Sequence, residues 1–250
     1  MPSGANNEGA EKLFYIKASE QRMKDIQAVL LDVDNTILDF NIGAMEAMRA
    51  TFLEWKLPFS EDMFSVFLTC NQKLWEDIEK NKLTREELYK IRWKIIFGAL
   101  DISGPDPVQF DEVFRKNLGE SAAPVEGAYA LLEYLSRKYT LCIASNAAYE
   151  RQVKRLEKAN MLSYIRHVFS SEKIGHPKPE KAFFDACLSS LDGILPQETV
   201  VIGDSLTADI AGGNESGMKT IWYNHNREEI PLDVQPDYTV YALKEILDIL

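Results

Sequence analysis

The sequence has few of the residues from which disulfide frameworks and zinc sites are built. Its 250 residues include three cysteines and three histidines. So small and odd a cysteine count argues against a disulfide scaffold and is typical of proteins in a reducing compartment, which predicts a cytoplasmic location. None of the histidines lies at a spacing typical of His/Cys zinc sites, so zinc is disfavoured.

Long apolar runs and basic clusters are also absent. No apolar stretch approaches the ~20 residues that a membrane-spanning helix needs, so no membrane partner is predicted. Lys and Arg number 28 against 39 Asp and Glu, and the formal net charge is −11. This charge balance argues against tight binding of a nucleic acid polymer. An acidic protein that handles an anionic substrate needs local positive charge, which a metal ion can supply.

The length and composition are those of an ordinary globular protein. Hydrophobic residues make up 46% and charged residues 27% of the chain, and 250 residues fit one large domain or a core domain with an insert. Residues 1–20 are rich in small and polar residues and contain no apolar signal core. They are predicted to be a disordered tail or a cloning remnant.

Short runs that are apolar at nearly every position predict strands buried on both faces, as in a parallel sheet. They cover residues 27–31, 140–144, 167–169, 199–202 and 219–223, with a weaker one at 238–240. Helical patterns lie between them, after residue 127, at 179–191 and at 207–216. This alternation predicts an α/β core with a doubly wound, Rossmann-like parallel sheet.

The stretch from residue 41 to residue 123 has no convincing strand. It predicts four helices, at 43–55, 61–79, 85–100 and 107–118, and Thr84 with Glu87 forms a capping-box pattern before the third. We therefore predict an all-helical cap over residues 41–123, inserted into a catalytic core formed by residues 21–40 and 124–250.

Polar side chains follow four of the predicted strands, where ligands bind in open α/β sheets. The groups are Asp32-Val33-Asp34-Asn35-Thr36 after the first strand, Ser145-Asn146 after the second, Lys178 beyond the third, and Gly203-Asp204-Ser205 with Asp209 after the fourth. Crowded carboxylates stay ionised only beside a cation, and Mg²⁺ suits an all-oxygen site. Ser145 and Lys178 can then hold phosphate oxygens. The pattern thus indicates phosphoryl transfer.

In order and spacing these residues resemble the four motifs of the haloacid dehalogenase (HAD) superfamily. The resemblance covers residues 25–250, and the helical insert is similar to that superfamily's first type of cap. It implies that Asp32 is the nucleophile and that Asp34 is the general acid and base. The acid at position 34 favours a phosphatase, since the branch that cleaves C–Cl bonds lacks it.

The resemblance also implies the ligands. Mg²⁺ would be held by the Asp32 carboxylate, the Asp34 backbone carbonyl and Asp204, and phosphate would be bound by Ser145, Asn146 and Lys178. Asp209 would orient the metal's waters or Lys178 without touching the metal. Phe40 and Asn41, at the entry to the cap, are predicted contacts of the leaving group.

Residues 203–228 are similar to the bacterial nucleoside 5′-monophosphatase branch, whose better-known members prefer pyrimidines. The predicted function is a Mg²⁺-dependent 5′-nucleotidase acting on a small phosphorylated metabolite, as a monomer or a dimer. A sugar-phosphate phosphatase, a phosphomutase and a non-catalytic binding protein on the same fold are the alternatives.

Three other interpretations of the motifs fail on spacing. A calcium loop starting at Asp32 needs Gly at its sixth position and Glu at its twelfth, where Ile37 and Gly43 stand. Gly203 to Leu206 spells a serine-esterase signature, but no histidine follows an aspartate at the required spacing. Gly212 and Gly217 have phosphate-loop spacing, but they end a helix rather than begin one.

Overall fold

The computed structural model describes residues 22–229 and 232–250. The predicted tail, residues 1–20, lies outside the described residues. The strands are β1 Ala28–Leu31, β2 Thr140–Ser145, β3 His167–Ser170, β4 Thr199–Gly203, β5 Lys219–Tyr223 and β6 Tyr238–Val240. All of the predicted strands are confirmed, and β2, β3 and β4 each extend one residue further than predicted.

The strands form one parallel sheet in the order β3-β2-β1-β4-β5-β6. The chain therefore builds outward from β1 in one direction and then returns to the other side of β1 with β4. Leu31 pairs with Ile143 on one side and with Ile202 on the other. The order of the strands reverses between β1 and β4, so ligands are expected at the carboxyl ends of these two strands.

Four helices connect β1 to the rest of the core: α1 Phe40–Glu54, α2 Met63–Glu79, α3 Arg85–Ala99 and α4 Pro107–Leu118. All were predicted, with boundaries that differ by at most three residues. The helix α1 starts earlier than predicted because Asp39 caps it, its side chain accepting from the Ile42 amide. The capping box of Thr84 and Glu87 at the start of α3 is confirmed.

The remaining helices follow the strands: α5 Ala128–Lys138, α6 Tyr149–Lys158, α7 Ser171–Ile174, α8 Lys181–Ser189, α9 Gly212–Glu215 and α10 Ile246–Ile249. A π-helical turn over Leu206–Ala211 precedes α9, where the sequence predicts one continuous helix. Gly217 ends that segment in a left-handed conformation, with φ of 74°. The helix α6 was not among the predicted elements.

Both faces of the sheet are covered, and β1 shows why. Val29 and Leu31 pack into one apolar cluster together with the leucines of α5, whereas Ala28 and Leu30 pack into another with the phenylalanines of α8. Successive side chains of a strand point to opposite faces. A strand between two helical layers must therefore be apolar throughout, which is the pattern that predicted it.

The four helices α1–α4 bury a separate aromatic cluster around Trp93. The Trp93 ring lies 4.5 Å from that of Phe110 and 5.2 Å from that of Phe114, centroid to centroid. The rings of Phe52 and Phe67 also pack against the Trp93 ring. These aromatic side chains therefore give the four helices an apolar core of their own.

A buried ion pair beside that cluster gives a first prediction. The carboxylate of Asp111 accepts hydrogen bonds from Arg92 at 2.6 and 2.9 Å and from Arg115 at 2.6 Å. Removing one partner of a buried pair leaves a charge without compensation. We therefore expect Asp111→Asn to lower the free energy of unfolding by about 3 kcal/mol, measured by urea denaturation.

Glu133→Gln is the matched control because its ion pair with Arg137 lies on the surface of α5. Exposed pairs contribute little, so the control should change the free energy of unfolding by less than about 0.5 kcal/mol. Equal stability of Asp111→Asn and Glu133→Gln would contradict the assignment of a structural role to the buried pair.

None of the helices within residues 22–229 and 232–250 has both the length and the apolar character that a bilayer crossing requires. Cys70, Cys142 and Cys187 are free thiols.

Candidate active site

The turn after β1 directs two neighbouring carboxylates to different surroundings. Asp32 continues the strand direction, its amide donating to the carbonyl of Ile202 at 2.9 Å. The chain then reverses at Asn35, which adopts a φ of 60°. The buried hydroxyl of Thr36 returns to donate to Asp32 Oδ2 at 3.2 Å. The turn leaves Asp32 at the carboxyl edge of the sheet and turns Asp34 toward helix α6.

Lys178 lies at the centre of the site and is almost fully buried. Its ammonium donates to Asp32 Oδ1 at 2.8 Å, to Asp209 Oδ1 at 2.6 Å and to the carbonyl of Ala144 at 2.7 Å. These contacts use all three donors of the ammonium. Asp209 and Asp32 hold the pKa of Lys178 above its usual range although burial acts to lower it. The lysine is therefore a fixed positive charge.

Asp209 reaches this site through a space that only glycine leaves open. A Cβ atom on Gly203 would lie 2.1 Å from Asp209 Oδ2, so the end of β4 has no room for a side chain. The same oxygen accepts from the amide of Ser205 at 3.1 Å. The carboxylate of Asp209 is thus held between Lys178 and the turn that follows β4.

A carboxylate oxygen from each of Asp32, Asp204 and Asp209 lies within 4.8 Å of the other two. Burial raises the pKa of Asp32 to about 7, with Asp209 and Asp34 adding to the rise and Lys178 opposing it. Burial likewise raises the pKa of Asp204 well above its usual range, and Asp32 contributes. Buried acids that resist ionisation fit a hard divalent cation, because it neutralises them and accepts oxygen ligands.

Asp34 is held by two side chains of α6 that sequence reasoning missed. Arg155 donates through Nη1 to Asp34 Oδ1, and Gln152 donates through Nε2 to Asp34 Oδ2 at 2.8 Å. Burial alone would raise the pKa of Asp34, but the guanidinium of Arg155 holds it below its usual range. Asp34 therefore ionises more readily than its neighbours Asp32 and Asp204.

Ser145 and Asn146 lie beside this arrangement at the end of β2. The hydroxyl of Ser145 accepts from Gln152 Nε2 at 2.9 Å and from the amide of Ala147 at 3.1 Å. The side chain of Asn146 donates to the carbonyl of Lys178 at 2.9 Å and accepts from its amide at 2.8 Å. The side chain of Asn146 thus fixes the backbone of Lys178.

The structure brings Asp32, Asp204, Asp209 and Lys178 together, with Asp34 and Ser145 joined through Gln152. It does not bring the two predicted leaving-group residues into the same network. Phe40 packs against the aromatic cluster of α1–α4, and its amide donates to Asn35 Oδ1 at 3.1 Å. Asn41 is exposed in the first turn of α1.

Helix α2 contributes a further acid, Glu79, that the sequence did not single out. Its carboxylate accepts hydrogen bonds from the hydroxyls of Thr207 and Ser205, the latter at 3.5 Å. Burial raises its pKa, and Asp209 adds to the rise. Glu79 is thus a carboxylate of the helical insert that contacts the turn after β4, within the electrostatic reach of Asp209.

The rejected serine-esterase and calcium-loop interpretations also fail in the structure. Ser205 caps the π-helical turn by accepting from the amide of Ala208, and the ring contacts of His167 and His225 are with Phe169 and Tyr223. His176 contacts Glu180 within the loop between α7 and α8. The acids of the first motif follow a strand rather than a helix, unlike an EF-hand.

The fold and the site together define an α/β enzyme with an acidic, lysine-containing centre at the switch point of a parallel sheet. The family model described as haloacid dehalogenase-like hydrolase matches residues 26–217. The chain is also 32% identical to the HAD-hydrolase YfnB of Bacillus subtilis over 228 residues. This alignment covers 91% of this chain and 97% of the relative. This protein belongs to the haloacid dehalogenase-like hydrolase family, as its motifs predict.

Two further relatives have named activities. The pyrimidine 5′-nucleotidase PynA of Streptococcus pneumoniae is 32% identical over 223 residues, covering 89% of this chain and 94% of the relative. The pyrimidine 5′-nucleotidase YjjG of Escherichia coli is 27% identical over 222 residues, covering 89% and 96%. The crystal structure of YfnB bound to magnesium superposes with a TM-score of 0.86 over 90% of this chain and 98% of that one.

Proposed function

We propose that this protein is a Mg²⁺-dependent phosphomonoesterase that hydrolyses nucleoside 5′-monophosphates through a phosphorylated Asp32. One observation carries the proposal. Asp32 shares the ammonium of Lys178 with Asp209 and lies within 4.8 Å of Asp204, measured between carboxylate oxygens. A nucleophile, a fixed cation and a set of metal-binding acids are thus in one place.

In the first step, an oxygen of Asp32 attacks phosphorus and the ester P–O bond breaks. Asp34 gives its proton to the departing alkoxide, which leaves as the alcohol. Lys178 lies against Asp32 and stabilises negative charge on the transferring phosphoryl group. The hydroxyl of Ser145 is available to bind a phosphate oxygen because it is hydrogen-bonded to Gln152 as an acceptor and keeps its own proton to donate.

In the second step, water attacks the same phosphorus and the bond from Asp32 to phosphorus breaks. Asp34, ionised after the first step, takes the proton of the water as its general base. Arg155 lowers the pKa of Asp34, which keeps Asp34 ionised and able to accept this proton. To act as the acid in the first step, Asp34 must carry a proton. The negative charge of an approaching dianionic phosphate raises the pKa of Asp34 and so opposes the effect of Arg155.

The residues that would hold Mg²⁺ are Asp32 and Asp204 by their carboxylates and Asp34 by its backbone carbonyl. The donor set is all oxygen, which suits this ion. When bound, the ion supplies positive charge to the phosphoryl oxygens and neutralises the crowded acids. Asp209 acts on the site from outside this set, because its carboxylate is engaged by Lys178 and the Ser205 amide. The magnesium bound in the YfnB crystal structure supports the choice of ion.

The substrate class is proposed from the relatives. Both PynA and YjjG are named pyrimidine 5′-nucleotidases, which supports a pyrimidine nucleoside monophosphate over a sugar phosphate. We further propose that the helices within residues 41–123 act as a cap over a core of residues 21–40 and 124–250. The contact of Glu79 with Thr207 supports this division. A cytoplasmic location remains a prediction.

A substrate panel tests the function. With Mg²⁺, phosphate release is expected to be fastest from pyrimidine nucleoside 5′-monophosphates and slow from sugar phosphates. A chelator should abolish turnover, and excess Mg²⁺ should restore it. Asp204→Asn should raise the Mg²⁺ concentration needed for half-maximal activity about tenfold or more, whereas Asp185→Asn, at an exposed position of α8, should leave it unchanged.

Turnover that survives the chelator would reject the metal, and a flat or sugar-biased profile would reject the nucleotidase assignment while leaving a phosphatase.

A further inference from the structure

Helix α6 presents a row of cations to the segment that leads from α4 back to the sheet. Lys154 and Lys158 both contact the carboxylate of Glu120. Arg155, between them on the helix, donates through Nε to the carbonyl of Ser121 at 3.2 Å. Unlike the two lysines, whose side chains are about half exposed, Arg155 is 1% exposed. It alone of the three also reaches the candidate active site.

The guanidinium of Arg155 joins three parts of the molecule. Through Nη1 it pairs with Asp34 and donates to Gln152 Oε1 at 3.0 Å. Through Nε it contacts Ser121. Its remaining nitrogen, Nη2, is buried without a hydrogen-bond partner among the described residues. A buried donor without a partner costs stability, so packing alone is a poor explanation for an arginine at this position.

Gln152, one turn earlier on α6, completes the support. Its Nε2 donates to Asp34 Oδ2 at 2.8 Å and to the hydroxyl of Ser145 at 2.9 Å. Each carboxylate oxygen of Asp34 therefore has a donor from α6. Two donors on one rigid helix fix the plane of a carboxylate, whereas one donor leaves it free to rotate.

Ser121 belongs to a segment that lies against the entry to α1. The amide of Asp39 donates to the carbonyl of Ala123 at 2.8 Å, and Leu38 forms a bridge with Pro124. The two connections of the helical insert therefore run side by side. Arg155 links one of them directly to the carboxylate of Asp34.

We propose that Arg155 is a positioning residue that holds the carboxylate of Asp34 toward the leaving group and ties its orientation to the connection between the helical insert and the sheet. This inference rests on the proposed function, in which Asp34 protonates the departing alcohol. The hydrogen bonds of Arg155 are with Asp34, Gln152 and Ser121, so it acts on the reaction through Asp34.

The test compares leaving groups. Expulsion of an alkoxide needs a well-placed acid, whereas expulsion of 4-nitrophenolate needs much less help. For Arg155→Gln we expect kcat/KM to fall by about 10²-fold on a nucleoside 5′-monophosphate and by less than about tenfold on 4-nitrophenyl phosphate. Arg155→Lys, which keeps the charge but lacks the planar fork, should show a smaller loss with the same selectivity. Equal losses on both substrates, or no loss, would overturn the proposal.

Two controls separate the possible failures. Lys158→Gln removes a contact with Glu120 without touching Asp34, so kcat/KM should stay within about twofold for both substrates. Asp34→Asn should be more selective than Arg155→Gln. If Asp34→Asn is selective and Arg155→Gln is not, only the positioning role is wrong. If Asp34→Asn is not selective, the acid role in the proposed function fails as well. Should Arg155→Gln not fold, the selectivity of Arg155→Lys decides.

Discussion

Turnover by Asp32→Asn is expected to fall by about 10⁴-fold or more, the scale on which removal of a covalent nucleophile acts in other enzymes. The amide of asparagine has nearly the shape of the carboxylate but is a far weaker nucleophile. The rest of the site should remain, because Lys178 keeps its contacts with Asp209 and the Ala144 carbonyl. The loss should therefore appear in kcat. No burst of the alcohol product is expected, because the phosphorylated intermediate does not form.

The same substitution should not weaken the fold. Asp32 has a pKa of about 7 in place of its ordinary value of 3.8, so the folded protein without metal holds the proton over a range in which the unfolded chain has released it. Stability of the metal-free wild type should therefore fall as pH rises from about 4 to about 7. Asp32→Asn should show a shallower fall, because only Asp204 then keeps its raised pKa in this cluster, and it should be at least as stable as the wild type at pH 7.

The two expectations have opposite signs, which makes the pair informative. Thermal unfolding with chelator and phosphate release with Mg²⁺ would be measured on the same preparations, with Asp185→Asn as the isosteric surface control. Substantial activity in Asp32→Asn would contradict the covalent mechanism. A loss of both activity and metal-free stability would instead mean that Asp32 holds the site together.

The sheet and much of the site could be predicted because their signals are local. A strand covered on both faces is apolar at every position, as in β1, and the groups at its end follow at once in the sequence. Asp32 and Asp204 could be assigned to one edge because parallel strands place their carboxyl ends together. Lys178 lies in a loop beyond the third strand, so its place at this edge was predicted from the topology and its role was supported by the resemblance of the motif order.

Helix α6 shows why the side chains that hold Asp34 were not predicted from the sequence. Its buried face is made of Gln152, Arg155 and Leu156, so the apolar periodicity that reveals a helix is nearly absent. Asp34 accepts hydrogen bonds from this polar face, but in the sequence it lies 118 residues before Gln152 and 121 before Arg155. A Gln and an Arg three apart, shortly after Ser145, were the only available signal, and the spacing alone does not identify their partner.

Other differences also come from tertiary contacts. The prediction that Asn146 binds phosphate stays a prediction, but no sequence signal indicated that its side chain pairs with the backbone of Lys178. Glu79, at the end of α2, was not singled out because its partner Thr207 lies far away in the sequence and is brought to it by the fold. In each case the residue type was visible in the sequence but its neighbour was not.

Lys178→Met should differ from Asp32→Asn in its stability. Both substitutions are expected to lower activity, but Lys178→Met should also destabilise the fold. The methionine nearly fills the volume of the lysine but removes three hydrogen bonds and the buried positive charge. Asp32, Asp204 and Asp209 would then face one another without a fixed cation. We expect the free energy of unfolding of the metal-free protein to fall by about 3–5 kcal/mol, and kcat with Mg²⁺ to fall by about 10²–10³-fold because one phosphoryl-stabilising group is lost.

Mg²⁺ should recover part of the stability of Lys178→Met because a divalent cation held by Asp32 and Asp204, close to Asp209, replaces part of the missing positive charge. Binding to the folded state alone stabilises it as the ligand concentration rises above Kd. The midpoint of thermal unfolding, recorded over a Mg²⁺ titration, should therefore rise more in Lys178→Met than in the wild type. Lys181→Met, which removes an exposed ammonium that pairs with Asp185, is the control and should follow the wild type. A metal-free Lys178→Met as stable as the wild type would mean that the acids are not held in place by the lysine, which would leave Lys178 without the structural half of its role.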